Sequence, residues 1–174
     1  MFLCPLPSQA IPSHTYRRVG GIGKAAITSW FPSEESLRYL DRLQPLALLV
    51  MRLALGAVMV GHGYHKVFGG LHHHAQFVSS LGLPAGAAYL SSFTEFFGGL
   101  MILAGLFTRL AAFAICIDLG VAIWKVHWHH GLMGEGGFEF PLAVATIAFA
   151  LMFFGGGPIA LDHILRGGGT WSKK

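Results

Sequence analysis

The sequence predicts an all-α integral membrane protein: a four-helix bundle, N-in/C-in, with a short interfacial helix before the first span. Three observations carry that expectation. Of the 174 residues, 53% are hydrophobic and 11% charged, whereas a soluble domain carries about 25% charge. Four apolar stretches approach the roughly 20 residues that a helix needs to cross a bilayer core about 30 Å thick. Lys and Arg gather on one side of those stretches, the asymmetry that orients multi-pass proteins.

Taken in order, residues 1–32 read as a flexible cytoplasmic extension rich in Pro, Ser and Gly. Its early prolines, with no basic segment before an apolar core, argue against a secretory signal. Residues 33–43 read as an interfacial amphipathic helix. Ser33 is placed to cap it, Glu34 and Glu35 suit its first turn, and Leu37, Leu40 and Leu43 recur at helical spacing. A plain juxtamembrane linker stays open as the other reading.

The membrane domain covers residues 44–166. Span one is expected over Pro45–Tyr64, with Pro45 in a helix-start position. Span two follows the Gly82-Leu83-Pro84 break and covers Ala85–Phe107. Span three covers Thr108–Val126, so close behind that spans two and three form a tight antiparallel hairpin. Span four covers Phe138–Phe154 and stops at Gly155-Gly156-Gly157-Pro158. Residues 167–174 are a cytoplasmic tail. Ala57 with Gly61, and Gly98 with Gly99, suit close helix packing.

Orientation follows from charge. Arg17, Arg18, Lys24, Arg38, Arg42, Arg109, Arg166, Lys173 and Lys174 fall on one side; Lys66 and Lys125 fall on the other. Both termini are therefore expected in the cytoplasm, and the histidine-rich segments outside it. The net charge of +4 comes mostly from the chain ends. It forms no basic stripe between aromatics, which excludes a nucleic-acid footprint.

The informative residues are the ionisable ones inside apolar stretches, because charge in hydrocarbon costs at least a few kcal/mol per group. Glu95 lies about 18 Å, and Asp118 about 14 Å, from the cytoplasmic ends of spans two and three. Arg52 lies about 10 Å inside span one, where it can snorkel to headgroups or pair with Asp118. Arg52, His62 and Lys66 fall within about 80° of one another on that helix. At the outer end, His62, Lys66, His127 and Glu139 line a candidate pocket with Glu95 beneath. Such a pocket has donors for a quinone carbonyl and a carboxylate to relay its protons. Structural ion pairs that tie the helices together are the competing reading.

Other signals carry less. His72-His73-His74 and His127, His129 and His130 raise a metal question, but consecutive histidines have no fixed ligand geometry, and solvated loops explain them. No metal ligand set is assigned. Cys4 and Cys116 form no CxxC, and Cys116 reads as a small buried hydrophobe.

The run Arg52…Gly61-His62-Gly63-Tyr64-His65-Lys66-Val67-Phe68-Gly69 resembles the first-helix signature of the DoxX family (DoxX/DoxD-like membrane proteins). Leu81-Gly82-Leu83-Pro84, Glu95-Phe96-Phe97-Gly98-Gly99 and Leu106-Phe107-Thr108-Arg109 extend the likeness. So do His127, Gly137-Phe138-Glu139 and the segment from Gly155 to Asp162. The resemblance covers residues 43–162 through the order and spacing of its motifs. It implies a four-helix protein of the inner (cytoplasmic) membrane of a bacterium or archaeon. It also implies quinone-linked electron transfer, as in a subunit of thiosulfate:quinone oxidoreductase or a membrane partner in thiol and oxidative-stress systems. The family's polar pattern maps here onto Arg52, His62, Lys66, Glu95, His127 and Glu139; Asp118 and the histidine runs are less typical of it.

The functional expectation is a membrane subunit of a quinone-linked oxidoreductase. His62, Lys66 and Glu95 are its candidate catalytic residues, and His127, Glu139, Arg52 and Asp118 join them as candidate quinone contacts. No flavin or haem fingerprint is present, so electrons are expected from partner redox subunits; a homo-oligomer is also open. The alternative is a non-catalytic accessory or assembly subunit of a larger respiratory or energy-transducing complex. A transporter or metal-handling role is disfavoured by the lack of an inverted repeat or a broken helix within a span.

Overall fold

Seven α-helices, interrupted by π-helical turns, account for the regular structure of the computed structural model, which describes residues 34–165 and 167, with side chains from residue 39. No strand occurs among them. The expected extension 1–32, the Ser33 cap and Arg166 lie outside the described residues, as does the tail from residue 168. The chain divides into units 1–39 and 40–174; the packing below belongs to the second.

Helix α1 spans Glu34–His65 and contains Pro45. The segment expected as a separate interfacial helix is thus continuous with the first span, and Pro45 is internal rather than first. Proline removes one backbone donor, a loss that a long helix absorbs locally as a kink. Beyond His65 the chain does not become a loop, as the first-span boundary at Tyr64 implied. A π-helical turn, Lys66–Gly70, leads directly into α2, Leu71–Ser80. Ala75 and Val78 form the buried stripe of α2, packed on Ala88 of α3, Ala85–Phe93. A turn at Gly82, with φ of +77°, reverses the chain between them, and Pro84 starts α3 at ψ 142°.

The second π-helical turn, Thr94–Gly98, joins α3 to α4, Gly99–Ala104. At its end, Gly105 N–H donates to Ile102 O at 3.1 Å and Leu106 N–H to Met101 O at 2.9 Å. This paired closure needs a left-handed residue, supplied by Gly105 at φ +71°. Three residues later α5, Thr108–Ala122, begins, so the tight hairpin expected between spans two and three is present. A third π-helical turn, Ile123–His127, and a 3₁₀ turn, Trp128–His130, close that helix. The bundle finishes with α6, Glu139–Phe154, and the short α7, Leu161–Leu165.

Three continuous helical segments are long and apolar enough to cross a membrane: Tyr39–Ser80, Ala85–Ala104 and Thr108–His130. The fourth, α6, has 16 residues and extends about 24 Å, short of a hydrocarbon core of about 30 Å. The core lies between α5 and α6. Ala111, Ala112, Ile115 and Leu119 face Val144, Ala148 and Leu151, both sets at three- and four-residue spacing. Leu55 and Met59 of α1 and Ile102 of α4 complete it. Outside it, large apolar residues such as Phe113, Phe149 and Phe153 are exposed, the surface a lipid-facing bundle presents.

Close helix approach depends on glycines, though not on the Ala57–Gly61 pair. Both of those residues are exposed, and a Cβ on Gly61 would meet nothing within 4 Å. A Cβ on Gly56 would lie 2.9 Å from Gly99 O, one on Gly99 2.8 Å from Val60 N, and one on Gly63 would strike the Phe96 backbone. These three contacts set α1 against α4 and the second π-helical turn.

Candidate functional site

Two polar assemblies stand at opposite ends of the bundle, and each uses residues singled out by the sequence. At the first, Arg52 is 2% exposed. Its Nε donates to Ile102 O (3.1 Å), which also accepts from Gly105 N–H, and Nη2 to Leu103 O (2.8 Å), both carbonyls of the last turn of α4. Nη1 donates to Gly156 O and Ile159 O, both at 3.1 Å. The side chain neither snorkels to the surface nor reaches Asp118; it is committed to backbone. The planar fork of arginine suits this work, as it sets several donors in fixed directions.

Beside it, Asp162 accepts the N–H of Phe107 at 2.7 Å and of Thr108 at 2.8 Å. Its own N–H donates to Gly105 O at 2.9 Å. A carboxylate from α7 therefore caps α5, where the positive end of the helix dipole favours it. Phe107 holds φ at +46° there, an unusual value for a non-glycine residue. Arg52 and Asp162 together stitch α1, the α4–α5 corner and α7. That is structural work, and it removes Arg52 from the expected ligand pocket.

The second assembly surrounds a cavity of about 470 Å³ between the α2–α3 hairpin and α5. Each π-helical turn among the described residues delivers residues to it: Lys66 from the first, Thr94 and Glu95 from the second, Lys125 and His127 from the third. Such turns carry an extra residue per turn and are frequent at functional sites. The α5 wall reads Ala114, Ile117, Asp118, Val121 and Ala122, a single helical face on which Asp118 is the lone charge. The wall formed by α3 and the second π-helical turn reads Ala87, Leu90, Ser91, Thr94 and Glu95 at the same spacing.

Lys66 Nζ lies 2.5 Å from Glu95 Oε1, and the Glu95 side chain is only 9% exposed. Asp118 interacts electrostatically with both and with Ser91. Glu95 and Asp118, which the sequence places deep inside spans two and three, share this cavity. Glu95 Oε2 and His74 Nε2 are buried without a hydrogen-bond partner. His127 donates from Nδ1 to Gly136 O at 2.7 Å, which leaves Nε2 as the acceptor of the neutral ring.

Of the remaining expected site residues, His62 and Glu139 do not line this cavity. His62 is exposed, with its ring centroid 6.1 Å from that of Phe140, and Glu139 is exposed at the start of α6. The polar stripe of span one therefore splits three ways: Arg52 inward, Lys66 into the cavity and His62 to the surface. The angular spread of about 80° was wide enough for that. The histidine runs also divide. His72, His73, His129 and His130 are exposed, while His74 is drawn into the cavity beside Lys66. Nothing in the sequence singled out Ser91 or Thr94, beyond helical spacing from Glu95 for Ser91, and it offered His74 only as part of a histidine run and Lys125 only as an outer-side charge. Among the described residues, no group of three or more His, Cys, Asp or Glu side chains is arranged to hold a metal ion. Cys116 is half-buried, with Sγ 3.6 Å from Ala145 O.

Comparison with known proteins agrees with this architecture. The DoxX family model matches residues 47–128. A Bacillus subtilis (strain 168) protein described as "Putative oxidoreductase CatD" is 32% identical over 106 residues, 61% of this chain and 78% of that protein. "Inner membrane protein YphA" of Escherichia coli K12 is 30% identical over 139 residues, 74% of this chain and 98% of that protein. No solved structure gives a significant match.

Proposed function

The chain belongs to the DoxX family, and from that premise we propose that it is the quinone-interacting membrane subunit of an oxidoreductase, housed in a bacterial inner membrane. The observation that carries this reading is the Lys66–Glu95–Asp118 cluster inside a cavity whose walls are mostly apolar, with His74, Ser91, Thr94, Lys125 and His127 as its further polar lining. Pockets of roughly 300–1,000 Å³ with a few convergent polar groups are typical small-molecule sites. The description of CatD as an oxidoreductase and of YphA as an inner membrane protein supports the redox and location parts of the proposal.

The residues present fit a quinone ring. Phe77, Leu83, Leu90, Ile117 and Val121 supply apolar walls, and two buried polar atoms, Glu95 Oε2 and His74 Nε2, await partners. A bound quinone supplies a carrier of two electrons and two protons. Lys66 offers its remaining ammonium donors to a ring oxygen. Glu95, held through Oε1 by Lys66, keeps Oε2 available to hold a proton, and Asp118 stands next to it as a second carboxyl. His127, oriented through Nδ1, presents Nε2 as a further proton acceptor. The apolar walls exclude water from these groups. Electrons enter from a partner protein, and the cavity end of the bundle faces away from the cytoplasm, with both termini inside.

Purification of the full chain in mild detergent, followed by extraction of bound isoprenoid quinone in either redox state, tests the proposal. About one quinone per chain, reduced at least tenfold by Glu95→Gln combined with Lys66→Met, is the expected result. Absence of retained quinone and of quinone binding in nanodiscs would overturn it. Reporter fusions at both termini test the orientation.

A further inference from the structure

We infer that the cavity takes its ligand as the hydroquinone, with a ring hydroxyl that accepts from Lys66 and donates to Glu95 Oε2. The inference rests on the quinone-site reading and adds which redox form the site is built to hold.

The argument is one of donors and acceptors. Lys66 Nζ and Glu95 Oε1 are 2.5 Å apart, so the carboxylate is shared between the ammonium and whatever faces its other oxygen. That other oxygen, Oε2, is buried and has no hydrogen-bond partner. The side chain is 9% exposed, so bulk water does not satisfy it. An ionised carboxylate only accepts, and leaving such an acceptor unmet in an apolar wall is costly. The oxygens of a quinone also only accept. Set against Glu95 Oε2, a carbonyl oxygen would place lone pair against lone pair.

A phenolic hydroxyl reverses that. Its oxygen accepts one of the two ammonium hydrogens that Lys66 does not spend on Glu95, and its hydrogen goes to Oε2. Because Nζ and the carboxylate are in contact, both bonds can meet at one hydroxyl. Asp118, which interacts with Glu95 and Lys66, adds a second carboxyl beside Glu95, and the further cation of the lining, Lys125, sits over the Trp124 ring. His74 Nε2, the second buried atom without a partner, donates or accepts according to tautomer, so it accommodates a second hydroxyl. Around Oε2 itself, an ammonium already engaged by Oε1 and an adjacent second carboxyl are therefore complementary to a ring hydroxyl, while Lys125, His127, Ser91 and Thr94 complete the polar lining elsewhere.

The test is anaerobic equilibrium binding to the full chain in nanodiscs, with protein-free nanodiscs as the partition control. Three probes share one decyl tail: decylubiquinol, decylubiquinone and the dimethyl ether of decylubiquinol. A charge-assisted hydrogen bond gained only by the quinol predicts binding about 10- to 100-fold tighter than either other probe. Glu95→Gln offers an amide donor in place of a carboxylate oxygen and is expected to shrink the quinol preference to less than about threefold. His74→Phe is expected to weaken the quinol more than the ether. Quinone bound as tightly as quinol, or ether bound as tightly as quinol, overturns the inference and leaves the quinone-site proposal standing. Failure of all three probes to bind removes both. Should Glu95→Gln not fold, the comparison of quinol with its ether on the unaltered protein carries the decision.

Discussion

Lys66 and Glu95 meet at 2.5 Å although 29 residues separate them, and their contact joins the first π-helical turn to the second. A carboxylate buried to this degree depends on its ammonium partner. The pair is expected to show a double-mutant coupling of about 1.5–3 kcal/mol between Lys66→Met and Glu95→Leu. Thermal unfolding of the four proteins in one detergent measures it. Additive effects would mean that the two groups do not stabilise each other.

Arg52 gives the sharpest contrast between charge and shape. Arg52→Lys keeps the charge but concentrates the donors on one nitrogen, which cannot serve four carbonyls contributed by two separate segments. It is expected to cost about 3 kcal/mol or more, nearly as much as Arg52→Met. Full rescue by lysine would show that a point charge suffices.

Asp162→Ala removes the acceptor for two N–H groups at the start of α5. A loss of about 1–2 kcal/mol is expected, with Asp162→Asn intermediate because one amide oxygen remains. Hydrogen exchange should quicken first at Phe107 and Thr108; protection unchanged at those amides would contradict the cap.

Gly63→Ala is expected to destabilise by about 1–3 kcal/mol, because its methyl group meets the Phe96 backbone and not a flexible side-chain end. Gly61→Ala, with open space around it, should stay within about 0.5 kcal/mol of the parent. Equal effects at the two positions would count against the α1 register.

His62→Ala and Glu139→Gln change exposed residues outside the cavity. Quinol affinity is expected to shift less than about twofold in either, while His74→Phe and Lys66→Met weaken it about tenfold or more. Binding in nanodiscs separates the two groups, and a large loss in the His62 or Glu139 variant would relocate the site.

The helices were legible in the sequence because hydrophobic length is a local property. Span two was expected to start at Ala85 and does; span three was expected from Thr108 and begins there. Span one ran past its expected end at Tyr64, because a π-helical turn at Lys66–Gly70 continues the helix into α2. The buried ionisable residues were legible too, since Arg52, Glu95 and Asp118 interrupt apolar runs where no local reason exists for charge. Their partners were not. Arg52 answers to the carbonyls of Ile102, Leu103, Gly156 and Ile159, and backbone carbonyls carry no residue identity from which to infer a match.

By itself, then, the sequence determined that this chain is an all-helical membrane protein, where most of its helices begin and which ionisable groups they carry inward. Only the tertiary structure decided that Lys66, His74, Glu95, Asp118 and His127 share one cavity while Arg52, His62 and Glu139 stay out of it. The physical reason is angular. Hydrophobicity sums along the chain and tolerates errors of register, whereas a side chain's direction depends on every turn before it. Three π-helical turns, each at the cavity, rotate the helices out of the regular 100° count. Folding α2 back onto α3 then brings His74 in from what the sequence presented as a solvated loop.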